Sequence, residues 1–443
     1  MTTERAARNR IIYALGLPIV GGMISQNVLN LVDTAMVGRL GDDALAGVGV
    51  GSFANFTGVA TVMGLSAGVQ AIAARRFGAG DTSRTAEPLN AALLLSILVA
   101  LPLSLLLVMA APVFFPYLNN DPAVIEHGVP YLQVRMLAMT AVGFNFAFRG
   151  YWNAINLPKM YLKTLVIMHI LNIFLNWMFI FGNAGAPELG ATGAGLGSAI
   201  ATTGGAIFYV VLGFIHARGH GFMRATPTRS NLKAVFRLAA PASFMQITFA
   251  AGLTTLFWII GQVSTDATAA ATVLINIMLV AILPGVAFGL AAGSLVGQAL
   301  GRGDREDAMQ WGWDVVRIGI FVLALLGLPM VLFPGPILGV FLENPETVAL
   351  AELPLRLYGL YIGIDAVALV LMNALHGAGD SKTVMKISVG LQWGVFLPCA
   401  LIAGPVLGGG LLAIWCVQIG YRFLQTLVVM ATWKRGRWLE IEV

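Results

Sequence analysis

The chain has 443 residues, 58% hydrophobic and only 11% charged, with a mean hydropathy of +0.83. Water-soluble domains carry about a quarter charged residues, so this composition excludes a soluble globular protein. The formal net charge of +5 suits a nucleic-acid binder in amount, but its distribution along the chain excludes that reading.

Apolar runs of roughly 20 to 28 residues follow one another, each long enough to cross a ~30 Å hydrocarbon core as a helix. The ~10-residue alternation of a membrane barrel is absent from the sequence. Twelve spans are predicted, centred near residues 24, 57, 98, 136, 170, 202, 247, 280, 319, 360, 394 and 420. Arg5, Arg8 and Arg10 precede the first run like the basic end of a signal peptide. That run is too long for a signal core and contains Asp33, so it is expected to stay attached.

Between the spans, 21 of the 26 Lys and Arg fall on one side if the spans alternate. They cluster at the N-terminus, at Arg75, Arg76 and Arg84, and at Arg149, Lys159 and Lys163. Further groups run from Arg218 to Arg237, then Arg302 and Arg305, Lys382 and Lys386, and Lys434 to Arg437. The opposite loops hold Asp42, Asp43, Asp121, Glu126, Glu188, Asp266, Glu343 and Glu346, with Arg39 the main exception. The positive-inside rule then puts both termini in the cytoplasm.

The first span ends in "NLVDTAMVGRLG", residues 30 to 41, where Asp33 stands alone among apolar neighbours. A carboxylate within a span costs ~2.5–3.5 kcal/mol on insertion scales. Burial favours its protonated form and a nearby cation its ionised form, so proton and cationic substrate compete for one site. Gln26 and Asn30 precede it as candidate cavity liners. In the fourth span, Tyr131 and Arg135 of "YLQVR" share a face, and an arginine at that depth needs a partner, with Asp33 the first choice. The fifth span carries Asn172 and Asn176, four residues apart on one face, able to hydrogen-bond Asp33, coordinate a cation or pack helices together. His169, one turn earlier, reads as structural. The small-residue run 190–205 reads as a close helix contact rather than a phosphate loop, and no Walker motif occurs in the sequence.

The punctuation repeats at an offset of 223: Pro18 with Pro241, Gly38 with Gly261, "GAGD" (78–81) with "GRGD" (301–304), Pro122 with Pro345, and Lys159 with Lys382. Each match falls at the same helix end or loop in both halves, as expected of parallel repeats. The predicted fold class is therefore an all-α integral membrane protein, with twelve transmembrane helices in two pseudo-symmetric six-helix bundles. Residues 1–215 form one lobe, 216–231 a polar cytoplasmic linker and 232–443 the other lobe, with the substrate site expected between lobes. The repeat pairs Asp33 with Leu256, so the acid is not a symmetric packing feature. Asp365 is the deep acid of the second half, with Arg356 or Arg422 as a structural partner or a functional role of its own. Met278 and Phe288 are further candidate cavity liners, and Cys399 and Cys416 are expected to be buried small apolar residues.

With these residues in place, the chain resembles the multidrug and toxic compound extrusion (MATE) family over nearly its whole length. The resemblance is carried by "NLVDTAMVGRLG", by "LNIFLNWMFIFGNAGAPELGATGAGLGSAIAT" (171–202), by the paired "GAGD" and "GRGD" loops, and by "LMNALHGAGDSKT" (371–383). It implies two six-helix bundles around a central cleft and export of amphipathic organic cations driven by inward H⁺ or Na⁺ flow. Asp33 then matches the family's first-span acid and Asn172 its fifth-span asparagine, while Asn176 stands where many members carry a second aspartate. Asp365 matches a tenth-span acid of the NorM-like, often Na⁺-coupled branch, whose seventh-span glutamate is replaced here by Phe249. The signals are mixed, one second-lobe acid lacking its usual companion; a single strong site at Asp33 favours H⁺, because Na⁺ would want several oxygen ligands.

The expected protein is thus a monomeric secondary transporter of a bacterial cytoplasmic membrane, not an enzyme, with no cofactor beyond the coupling ion and no nucleic-acid partner. A lipid-linked precursor flippase of the wider superfamily is the alternative, expected to line its cavity with arginines. A channel or receptor would show no coupling to an ion gradient, and a membrane enzyme would need a nucleophile–base pair or metal cluster at depth.

Overall fold

The computed structural model describes residues 2–442. Among them the regular structure is helical throughout, without a strand. The helices run α1 (Thr2–Gly38), α2 (Asp42–Gly78, broken at Gly64), α3 (Thr82–Leu118) and α4 (Pro122–Leu137 continuing as Met139–Ala154). They continue as α5 (Pro158–Phe181), α6 (Gly190–His216), α7 (Arg229–Gly261), α8 (Thr265–Gly301) and α9 (Arg305–Leu332). The last three are α10 (Pro345–Ala378), α11 (Ser381–Val406) and α12 (Gly410–Arg435). Eleven of them are long and apolar enough to cross a membrane. The exception is α4, whose polar residues include Gln133, Arg135, Asn145 and Arg149. The twelve-helix expectation is consistent with this count.

The 223-residue repeat is written into the helix starts. Asp42 and Thr265 open α2 and α8, Thr82 and Arg305 open α3 and α9, Pro122 and Pro345 open α4 and α10, and Pro158 and Ser381 open α5 and α11. The turns repeat too. Gly80 (φ 79°) and Gly303 (φ 76°) both take the left-handed conformation that closes a helix. Asn156 (φ 62°) answers Gly379 (φ 92°), asparagine being one of the few other residues that tolerate this region. Packing follows the same symmetry: α4 lies against α2 and α6, and α10 against α8 and α12.

The chain forms two compact units, Gly21–Gln246 and a second made of Met1–Val20 with Ile247–Val443. The partition cuts α1 two residues after Pro18 and takes α7 as far as Gln246 into the Gly21–Gln246 unit, unlike the sequence division at 215 and 232. Two features account for this. Gly64 brings α2 onto α7 so closely that a Cβ there would lie 2.1 Å from the Ala239 carbonyl oxygen, and its N–H donates to Ser243 Oγ at 3.1 Å. Arg8 of α1 donates from Nη1 to Asp307 (2.6 Å) and from Nε to Asp314 (2.5 Å), with its guanidinium 3.7 Å over the Trp311 ring. The expected linker is itself docked: Phe222 is buried against Phe148 and Phe214, and Asn90 Nδ2 donates to the Gly221 carbonyl.

The core of the Met1–Val20 and Ile247–Val443 unit is largely aliphatic, built around Leu274, Leu323, Ile362 and Ala366, with Tyr358, Phe396 and Trp415 among them. Large apolar side chains elsewhere point away from the protein, such as Leu106, Met109 and Tyr117 on α3, the last 86% exposed. Such a surface would drive aggregation in water; on a spanning helix it faces lipid. Cys399 and Cys416 share this position. Both are free and exposed, correcting the expectation of burial: a small apolar thiol suits lipid as well as a core.

Candidate functional site

Within the Gly21–Gln246 unit, α1 and α5 present matching polar faces. On α1, Gln26, Asn30 and Asp33 follow at steps of four and three; on α5, His169, Asn172 and Asn176 follow at three and four. These steps place each set on one helix face. Two rungs join them: His169 Nε2 to Gln26 Oε1 at 3.2 Å, and Asn176 Nδ2 to Asp33 Oδ1 at 2.8 Å. Seven residues separate the rungs on both helices, so α1 and α5 run parallel in matched register.

The amides form a directed chain. Asn176 Nδ2 donates to Asp33 and also to Asn172 Oδ1 (3.1 Å), and Asn172 Nδ2 donates to Ser198 Oγ on α6 (2.9 Å). Asn172 and Asn176 are almost fully buried, whereas Asp33 is partly accessible. Gly197 makes this possible, because a Cβ there would lie 2.2 Å from Asn176 Oδ1. At the other rung, Gln26 Oε1 can only accept, so His169 Nε2 carries the hydrogen, and Nδ1 lies 2.6 Å from Ser25 Oγ. Gln26 Nε2 donates onward to Asn30 Oδ1 at 3.2 Å. The ladder thus holds one carboxylate within a set of oriented amides.

Tyr131 and Arg135 lie outside this chain. Tyr131 is buried in a small core with Val37, Ile180 and Ala194, its hydroxyl 2.9 Å from Ser52 Oγ. The expected ion pair of Arg135 with Asp33 does not form among the described residues. The Asn176 amide occupies the carboxylate instead.

The other unit has a polar cluster of its own. Asp365 on α10 is 1% exposed and accepts at Oδ2 from Arg422 Nη2 of α12 at 2.6 Å; Arg422 Nη1 donates to Gln425 Oε1 at 2.8 Å. Of the two partners foreseen, Arg422 is the one used. The pair borders a cavity of about 190 Å³, also lined by Met278, Phe249, Tyr358 and Gln392. Gln392 sits in a π-turn of α11 and is accommodated by Gly252, where a Cβ would lie 2.0 Å from Nε2; such turns often mark functional sites. Phe288 is not in this cavity. It is buried, edge-on to Tyr13 with centroids 6.1 Å apart, and lies against Gly16, where a Cβ would come within 2.6 Å of its ring.

Sequence reasoning did not single out Ser25, Ser198, Gly197, Tyr358 or Gln392. Two had a legible signal: Tyr358 stands seven residues before Asp365, on the same helix face, and Gly197 lies in the small-residue run of α6. Among the described residues no group of three or more His, Cys, Asp or Glu is placed to hold a metal ion.

A repeated six-helix bundle with isolated polar clusters inside apolar helices defines a multi-pass membrane transporter. The MatE family model matches residues 18–178 and 241–402, one copy in each half and offset by 223 at their starts. The chain belongs to the MatE family, whose members are transporters and not enzymes. It is 26% identical over 446 residues to the "Probable multidrug resistance protein NorM" of Brucella suis biovar 1 (strain 1330), covering 96% of this chain and 92% of that protein. It is 29% identical over 439 residues to the protein of the same name from Synechococcus sp. (strain ATCC 27144 / PCC 6301 / SAUG 1402/1), covering 94% and 92%. In fold it resembles an outward-facing multidrug resistance MATE family transporter of the MOP superfamily, with TM-score 0.90 and 19% identity over 98% of this chain and 97% of that one. A MOP superfamily transporter from Pyrococcus furiosus gives TM-score 0.89 and 19% identity over the same shares.

Proposed function

We propose that this protein is a cation-coupled antiporter that exports amphipathic organic cations by alternating access, with H⁺ as the coupling ion and Asp33 as its carrier. The observation that carries this reading is the Asp33–Asn176 hydrogen bond, a lone carboxylate held by an amide in a helix face otherwise sunk in apolar spans. An ionised carboxylate out of water is costly unless paired, so Asp33 requires a proton, a cationic substrate or donated hydrogen bonds. Asn176 supplies one donor. Exchange of the other two at the same oxygen atoms is the minimum needed for antiport.

The arrangement favours H⁺ over Na⁺. Asn176 turns its N–H towards Asp33, and the Asn172 oxygen is already engaged by Asn176, whereas Na⁺ would need several oxygens converging on one point. The relatives named multidrug resistance proteins support a drug-like cation as substrate. Lipid-linked precursors are less well suited, because the charged member of the ladder is a carboxylate, which repels a pyrophosphate. The charge pattern of the loops supports both termini in the cytoplasm, and analogy with the bacterial relatives supports residence in a bacterial inner membrane. The protein is proposed to act as a monomer. The test is efflux of a fluorescent organic cation from vesicles reconstituted with the pure protein, under a pH gradient alone and a Na⁺ gradient alone. Only the pH gradient should drive it; efflux driven by Na⁺ alone would refute the proton assignment.

A further inference from the structure

The cavity beside Asp365 is mostly apolar but holds a few oxygen-bearing groups, and the cation that borders them belongs to the protein. Asp365 Oδ1 and the Tyr358 hydroxyl are both buried without a hydrogen-bond partner, and Gln392 and Gln418 line the same cavity. Hard monovalent and divalent cations favour such oxygen ligands. Arg422 instead donates to Asp365 Oδ2 at 2.6 Å. An arginine stays charged at every accessible pH, so it neutralises this carboxylate permanently and from a fixed tether. Phe249, an apolar ring, lines the cavity as well, so no second acid offsets the arginine there.

We propose that Arg422 is a tethered surrogate for a coupling cation at Asp365, which closes this unit's cavity to free Na⁺ and leaves it an electrically neutral pocket. The inference rests on reading the chain as a cation-coupled transporter, and it assigns Asp365 no coupling ion of its own. The guanidinium already holds Asp365 Oδ2, so a free ion would meet only the other carboxylate oxygen. Removing the guanidinium while keeping Asp365 leaves an unpaired carboxylate near the Tyr358 hydroxyl, in a cavity that Gln392 and Gln418 also line. The site is therefore a masked Na⁺ site, and Arg422 is the residue that sets its specificity.

The test uses purified full-length protein in detergent, melted in NaCl and in choline chloride of equal ionic strength. Four proteins are compared: wild type, Asp365→Asn, Arg422→Gln and the double variant Arg422→Gln/Asp365→Asn. Arg422→Gln should gain a Na⁺-specific rise in melting temperature that the double variant lacks, and wild type should respond to Na⁺ no more than the double variant does. A folded Arg422→Gln protein with no gain overturns the proposal. So does a Na⁺ response of the wild type that Asp365→Asn or the double variant abolishes. Should Arg422→Gln fail to fold, the wild type against the neutral double variant decides: equal responses uphold the proposal and unequal ones refute it. The readout involves no transport, so it is independent of whether Asp33 carries the driving ion.

Discussion

Asn176 Nδ2 lies 2.8 Å from Asp33 Oδ1, and the same nitrogen reaches Asn172 Oδ1 at 3.1 Å. One amide thereby ties the carboxylate of α1 to the polar face of α5. Asn176 Oδ1 stays buried without a partner, so the contact is asymmetric: the amide gives hydrogens to the acid and receives none.

A hydrogen bond to a charged group contributes ~1.5–3 kcal/mol to stability. A double-mutant cycle with Asn176→Leu and Asp33→Asn, read by stability in detergent above neutral pH, should give a coupling of at least ~1 kcal/mol, the two changes costing less together than in sum. Strict additivity would show that the contact is not energetically real.

Gly197 should behave as part of the site. A methyl group placed there would meet Asn176 Oδ1 at 2.2 Å, so Gly197→Ala must displace the amide from Asp33. Efflux should fall about tenfold or more, in line with ~1.4 kcal/mol per factor of ten. Gly49→Ala, at a position with no atom within 4 Å, should leave efflux unchanged. Equal effects of the two substitutions would contradict the packing described.

Breaking the Asp365–Arg422 pair from one side should cost ~3–5 kcal/mol, because the survivor is a buried unpaired charge. Arg422→Gln and Asp365→Asn should each lower thermal stability markedly, while the double variant recovers much of the loss. A double variant as unstable as the sum of the singles would mean the two side chains act independently.

Arg8 should anchor the start of α1. It bonds Asp307 and Asp314, stacks on Trp311, and leaves Arg302 and Arg317 to complete the network at 2.7 and 3.2 Å. Arg8→Ala should destabilise by ~1.5–3 kcal/mol through its lost charged hydrogen bonds, since Asp307 and Asp314 keep Arg302 and Arg317, and Arg8→Lys should rescue it poorly, since an ammonium cannot span both acids while stacking. Arg5→Ala, on an exposed neighbour, should stay within ~0.5 kcal/mol of wild type. Thermal melts of the three variants decide it.

The fold was legible because its determinants are one-dimensional. Apolar runs mark spans, and the pairs Pro122/Pro345 and Gly80/Gly303 fall where helices begin or turn left-handed in both halves. The rung between Asp33 and Asn176 was also within reach, since an acid inside a span needs a donor and the fifth span offered one. Arg135 misled, because opposite charge suggests pairing and the sequence does not say that an amide of α5 reaches the carboxylate first. The small-residue run of α6 announced a close helix contact, but not that Gly197 and Ser198 would meet the amides of α5. The importance of these two lies in how closely α6 approaches α5, which depends on three-dimensional packing and not on spacing along one helix. The cysteines show the same limit: apolar character cannot distinguish a core from a lipid-facing surface.

The most direct measurement is dye efflux from reconstituted vesicles under an imposed pH gradient, with wild type beside Asp33→Asn, both checked for folding and for dye binding. The account predicts that the gradient drives wild type and that Asp33→Asn binds dye but does not export it against the gradient. Full gradient-driven export by Asp33→Asn would show that the aspartate only holds α1 to α5, and the coupling role assigned to it would be wrong.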